Sequence, residues 1–197
     1  MRFLAPLAAI TCLTLAASFA ATVAAEEQNQ GRLADESRKL AFQVSRDYKD
    51  QLIRELKSSG PVRAIVACKY ACPDILSSQS RKTGWKVSMV SLKPRNLALG
   101  MPDAWEQTVL LDFNRRLAAG EDGNALEFSE VVKEPYRGYF RYAKAIVVEH
   151  LCLNCHGSRD RLKEAVKVQL SIDYPHDRAV DFSLGKLYGI VSIKREL

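Results

Sequence analysis

Apolar positions recur every four residues from Asp35 to about Lys57, at Leu40, Val44, Tyr48, Leu52 and Leu56. That spacing predicts an amphipathic helix. Ser59-Gly60-Pro61 closes it and opens a second helix through Ala64, Ile65, Cys68 and Ala71. Pro73 disfavours helical geometry at the residue before it, so a break or a fresh helical turn is expected at Cys72. After the Thr83-Gly84 turn the period changes from four to two. In "WKVSMVSL", residues 85–92, Trp85, Val87, Met89 and Ser91 take one side, and Val90 and Leu92 the other. Pro102-Asp103-Ala104-Trp105 opens a helix that Gly120 stops near Ala119. Strands follow at 125–133 and 139–148, joined across Pro135–Gly138. A short amphipathic helix is expected at 159–167, and "LYGIVSIKREL" supplies a last strand at 187–195. Helices first, then strands mostly joined by short turns, make an α+β chain with an antiparallel sheet, flanking helices and a long N-terminal helix.

The N-terminus has a different logic. After Met1-Arg2, "FLAPLAAITCLTLAASFAATVAA" carries no charge, and Val23-Ala24-Ala25 precedes Glu26-Glu27. That is the pattern of a signal peptide, 1–25, cut after Ala25; the small residues favour cleavage over an uncut anchor. Residues 26–32 are polar, and 26–34 are expected to be flexible, leaving 35–197 as one domain. No other segment is long and apolar enough to span a membrane. The mature protein is expected to be exported, to the periplasm in a bacterium. With 47% apolar residues, a charge of +6 and no Lys/Arg block, the chain is not expected to bind nucleic acid.

Export changes what the cysteines mean. Cys12 leaves with the signal, and Cys68, Cys72, Cys152 and Cys155 remain. In an oxidising compartment four cysteines point first to disulfides. "LCLNCHG", residues 151–157, points elsewhere. Two thiols separated by two residues reach both vinyl groups of one porphyrin, and an imidazole at the next position reaches the iron. Cys152 and Cys155 are therefore candidate haem attachments and His156 a candidate iron ligand, giving one covalent haem c. Zinc on the four cysteines, a redox dithiol and a plain disulfide compete. A Cys-x-x-Cys bridge closes too small a loop to stabilise much, and no βαβ unit frames a thioredoxin-like dithiol.

A second iron ligand has six candidates: Cys68, Cys72, His150, His176, Met89 and Met101. His150 stands too close to His156 to reach the opposite face, His176 lies in a turn, and Met89 alternates with core neighbours. Met101 stays open. Cys68 and Cys72 rank level on the residues alone. A bridge between them is poor on a continuous helix, where β-carbons at i and i+4 stand about 5–6 Å apart and a disulfide wants about 3.5–4.5 Å. Lys93, Arg95, Arg137 and Arg141 are candidate propionate partners, each more simply a solvated charge. Trp85, Trp105, Phe113, Phe140 and Tyr142 are more simply core than pocket wall.

"AIVACKYACPDI", "GWKVSMVSLKPRN", "PDAWE", "FRYAKAI", "CLNCHG", "YPHDRAV" and "GKLYGIVSI" follow one another in that order. Together they resemble the exported haem-c family with a PAS-like fold, formerly a domain of unknown function, found as stand-alone cytochromes and as haem sensor modules. The resemblance spans about 35–195. It implies axial ligation by His156 and by Cys68. Cys72 stands where the family usually has alanine, a departure that leaves a spare thiol beside the ligand. The expected function is low-potential electron transfer or redox or gas sensing through an unidentified redox or signalling partner. The alternative is a non-haem exported protein that binds zinc or is stapled by disulfides. Nothing in the chain resembles a paired acid and base or an activated nucleophile, so no enzyme is expected.

Overall fold

The structure is a computed structural model that describes residues 8–197, with side chains from residue 24 onward. The signal peptide expected at 1–25 falls almost wholly outside the described side chains. Among the described residues no helix is long and apolar enough to cross a membrane.

A long helical element, α1 (Ala8–Thr83), precedes the sheet. Its dihedrals leave the helical range at Gly60, with φ 75° and ψ 178°. A straight helix would hold Leu40 and Leu76 roughly 54 Å apart, yet Leu76 packs against the cluster that buries Leu40 and Val44. The chain therefore doubles back at Gly60, where a positive φ suits a residue without a Cβ.

Two expectations on α1 need correction. The flexible segment expected at 26–34 is helical. Arg32 reaches Glu36 one turn on, and Leu33 is buried in the core at 2% exposure. The helix runs through Cys72 and Pro73 with neither the break nor the restart expected there, because Gly60 alone in α1 leaves helical dihedrals. A mid-helix proline costs about 3 kcal/mol. Burial of Cys72 at 2% exposure and of Leu76 against the core helps to offset it.

Gly84 ends α1 with φ 73°, its N–H donating to the Ser80 carbonyl at 2.9 Å. Then come β1 (Lys86–Val90), a single turn α2 (Leu97–Gly100) and α3 (Ala104–Ala118). The start of α3 is a capping box: Asp103 accepts from the Glu106 N–H, and Glu106 accepts from the Asp103 N–H. A hairpin of β2 (Glu127–Glu134) and β3 (Arg137–Val147) turns at Pro135-Tyr136. Beyond two 3₁₀ turns and α4 (Leu153–His156) lie α5 (Glu164–Asp173) and β4 (Leu187–Glu196). The helix expected at 159–167 is shifted. Leu162 stays extended and buried, and α5 starts only after Lys163, so that Val166 and Leu170 stack below it one turn apart.

The four strands run in the order β1-β4-β3-β2, every pair antiparallel, which makes the α+β architecture expected from the sequence. Both faces are covered. On one, Val87, Phe140, Tyr142, Val191 and Ile193 meet Leu33, Leu40, Ala41 and Val44 of α1. On the other, Val90, Ala143 and Ile190 meet Val109, Leu110 and Phe113 of α3. Each buried Val, Leu, Ile or Phe among them contributes about 1.5–3 kcal/mol. Val87 and Val90 fall on opposite faces, as the alternation in 85–92 predicts.

Candidate functional site

One end of the sheet gathers the chemistry. Val90 at the end of β1 pairs with Ile190 near the start of β4, and Val147 at the end of β3 pairs with Leu187. The Cys-x-x-Cys-His segment leaves β3 at this end. The Val148 N–H donates to the Lys186 carbonyl at 2.8 Å and the Gly185 N–H to the Val148 carbonyl at 2.9 Å, holding the exit of the strand. His150–Cys152 then makes a 3₁₀ turn, and α4 carries Cys155 and His156. Gly157 closes α4 because a Cβ there would stand 2.7 Å from the Leu153 carbonyl oxygen.

The motif faces a cleft whose other wall is α1. Cys152, Cys155 and His156 line it from one side, and Cys68 and Cys72 from the other. Tyr48, Leu52, Leu56 and Ile65 add an apolar wall. The sequence stripe thus divides: Leu40 and Val44 enter the sheet core, whereas Tyr48, Leu52 and Leu56 serve the cleft. The doubling-back at Gly60 brings both arms of α1 to the same cavity.

His156 is anchored through one ring nitrogen. Its Nδ1 lies 2.8 Å from the Ala179 carbonyl oxygen, so Nδ1 carries the proton and donates. That leaves Nε2 as the lone-pair nitrogen. Burial, aided by the charge of Arg95 and opposed by the bond to Ala179, holds the imidazole's pKa down to about 3. The ring is thus neutral and can ligate a metal. Tyr188 and Phe182 pack on it, at centroid distances of 4.8 and 6.3 Å.

Cys68 and Cys72 stand one turn apart with opposite acidities. A hydrogen bond from Cys72 lowers the Cys68 thiol below its ordinary value. The same bond, and then burial, raise Cys72. Within the pair Cys72 is the donor and Cys68 the acceptor, so Cys68 is the more readily ionised thiol of the two. Burial also raises Cys155, and pushes Tyr188 and Tyr174 up to about 12.

Of the other candidate ligands, Met89 lines the cleft while also packing on the core. His150 and His176 are exposed, and Met101 is 51% exposed; none of these three lines it. All four candidate propionate partners have protein partners, and of them Arg137 is the solvated charge expected, its side chain 59% exposed. Lys93 donates to the Val180 carbonyl, Arg137 pairs with Glu196, Arg141 with Asp103 and Glu106, and Arg95 with Asp177. Trp85, Trp105, Phe113, Phe140 and Tyr142 all stay off the cleft; Phe113, Phe140 and Tyr142 are at most 1% exposed. Sequence reasoning missed Tyr174, Tyr188 and Ala179 as parts of the site. Only their neighbourhood, in "YPHDRAV" and "GKLYGIVSI", carried a signal.

The residues fit a covalent haem. A thiol pair with its imidazole faces an apolar cleft, the imidazole is neutral and fixed in tautomer, and the Cys68 thiol lines the same cleft from α1. They fit zinc poorly: among the described residues no three Cys, His, Asp or Glu side chains gather closely enough to hold a metal ion.

Comparison with known proteins agrees in fold. The profile of a family described as Tll0287-like matches residues 20–195. The crystal structure of the cyanobacterial heme-protein Tll0287 aligns with a TM-score of 0.63 at 22% identity, covering 82% of this chain and 93% of that one. At that identity the likeness is one of fold. The comparison with curated proteins gave no significant match.

Proposed function

This chain belongs to the Tll0287-like family, and from that premise we propose that it is an exported c-type haem protein of low-potential electron transfer or of redox or gas sensing. The observation that carries the reading is a convergence: Cys152, Cys155 and His156 line one wall of a single cleft and Cys68 the facing wall. The family's structurally similar member is described as a heme-protein, which supports the same cofactor here.

Haem c would supply a one-electron iron couple. Cys152 and Cys155 would hold it, each thiol adding across a vinyl group with no net oxidation. His156 would offer Nε2 to the iron while Nδ1 stays bonded to Ala179. Cys68 would be the second ligand, with Cys72 donating a hydrogen bond to it. A thiolate donates charge and favours the ferric state, so the potential should lie below that of a Met/His haem. Tyr48, Leu52, Leu56 and Ile65 would keep water from the ring. A Cys68 whose hold on the iron depends on the iron's oxidation state would couple redox change to sensing. Export rests on the signal-peptide pattern at 1–25, and a haem protein of either kind would pass its electron or its signal to a redox or signalling partner.

The test is periplasmic expression with c-type maturation machinery, followed by acid–acetone extraction and a pyridine haemochrome spectrum. Haem that stays with the protein and shows the double-thioether α-band supports the reading. Colourless protein under working maturation overturns it.

A further inference from the structure

We infer that Arg95 is a positioning residue for His156, acting through the Ala179 carbonyl that both side chains use. The assignment rests on the haem reading above only for its consequence at the iron; its geometry belongs to the protein alone.

Arg95 leaves the loop after β1, and its side chain is 12% exposed. Its Nη2 donates to the Cys155 carbonyl at 2.5 Å and to the Ala179 carbonyl at 3.2 Å. Its Nε donates to Asp177 Oδ2 at 3.1 Å, and the Asp177 side chain is 8% exposed. The other Asp177 oxygen accepts the Ala179 N–H at 2.8 Å. The backbone repeats the tie, because the Arg178 N–H donates to the Pro94 carbonyl at 3.2 Å. One guanidinium thus joins the turn that carries Cys155 and His156 to the loop that supplies the acceptor for His156. No other side chain named at the cleft bonds to both segments. A planar fork with several donors suits this task, and a single ammonium does not.

Two consequences share a sign. The Ala179 carbonyl divides its acceptor strength between His156 Nδ1 and a cation. The imidazole therefore keeps its proton more fully and donates less charge to a metal at Nε2. The fixed positive charge beside the ring also favours arrival of an electron. Both effects raise the potential of an iron held by His156 against the lowering by a thiolate ligand.

The experiment compares wild type, Arg95→Met, Arg95→Lys and Asp177→Asn. In the haem-free chain, a two-bond ¹H–¹⁵N spectrum reads the His156 tautomer. In the haem-loaded chain, equilibrium titration reads the reduction potential. The expected result is an Nδ1–H tautomer in wild type and in Asp177→Asn, and mixed tautomers in both Arg95 variants. Arg95→Met should lower the equilibrium constant for reduction about tenfold, which is about 59 mV for one electron. Arg95→Lys, which keeps the charge, should lower it less. Wild-type tautomer and potential in Arg95→Lys overturn the assignment, and that variant decides the matter if Arg95→Met does not fold. A wild type that takes no covalent haem overturns the functional reading instead, and the tautomer in the haem-free chain still decides for or against Arg95.

Discussion

The rings of His156 and Tyr188 meet edge to face, with centroids 4.8 Å apart and planes at 68°. Tyr188 sits on β4, whereas His156 rides on α4 beyond the end of β3. The sheet thus fixes the azimuth of the imidazole, while Ala179 fixes its tautomer. Such aromatic contacts contribute about 0.5–1.5 kcal/mol beyond the area they bury. Tyr188→Phe should keep the ring oriented and leave the ferric spectrum of the loaded protein unchanged. Tyr188→Ala should broaden its low-spin electron paramagnetic resonance lines, as a freed ring samples several orientations. Equal linewidths in both variants would mean that Ala179 and Arg95 suffice to hold the ring.

The two cysteines on α1 should respond unequally to the same change. Cys68→Ser removes the group whose thiolate is favoured by the bond from Cys72. Its ferric optical spectrum should lose thiolate character, and its potential should rise. Cys72→Ser keeps a short hydrogen-bond donor and should leave the ligand in place. A ferric spectrum altered by Cys72→Ser but not by Cys68→Ser would reverse the ligand assignment. A disulfide between the two is disfavoured by the continuity of α1 through Pro73, since their β-carbons stand about 5–6 Å apart in such a helix.

Why these parts were legible, and others not, follows from the range of the interactions. The alternation of Val87, Met89 and Val90 records two covered faces directly, so β1 could be placed from local pattern. The helix boundary at Gly60 was legible as Ser59-Gly60-Pro61, but the reversal there was not, since it shows only in the contact of Leu76 with the cluster of Leu40 and Val44. The helicity of 26–34 was not legible, because Leu33 is secured by contact with strands far along the chain. The helical passage through Pro73 also depends on tertiary burial that outweighs a local preference. At the site, Cys152, Cys155 and His156 form a motif because their spacing is fixed by a small, rigid ligand. Ala179, Tyr188 and the role of Arg95 have no such spacing; they meet His156 only after the sheet closes.

Acid should loosen the attachment of α1 to the sheet before it disrupts the core. Arg38 of α1 donates through Nε to both Glu127 carboxylate oxygens at 2.9 Å, and the Tyr142 hydroxyl donates to Glu127 at 2.7 Å. The bond from Arg38 holds the Glu127 carboxyl below its ordinary value of 4.5, with burial opposing and Tyr142 assisting. A carboxyl depressed in the folded state releases its proton more readily there than in the unfolded chain. Its stabilisation is therefore present above pH ~4.5 and is lost as pH falls through the lower, folded value. Glu127→Gln should flatten this part of the pH dependence of unfolding in urea. A variant as acid-sensitive as wild type would place the titration in other carboxylates.

The tightest backbone approach at the site should be the least tolerant of added volume. A Cβ at Gly189 would stand 2.3 Å from the Val90 carbonyl oxygen and 3.3 Å from Ser91 Cβ. The first of these is backbone, so relief requires β1 and β4 to part where they frame the cleft. Overpacking of this kind costs about 1–3 kcal/mol, and Gly189→Ala should show it in urea unfolding at neutral pH. Gly185 offers the control four residues earlier: its φ is 77°, but nothing lies within 4 Å of an added Cβ. Gly185→Ala should therefore cost about 1–2 kcal/mol from the left-handed backbone alone and leave the cleft unchanged. Because Tyr188 is the next residue to Gly189, Gly189→Ala should also reproduce the line broadening expected of Tyr188→Ala. Destabilisation without broadening would show that the His156–Tyr188 contact survives a local opening of the sheet, and that α4 carries Tyr188's partner with it.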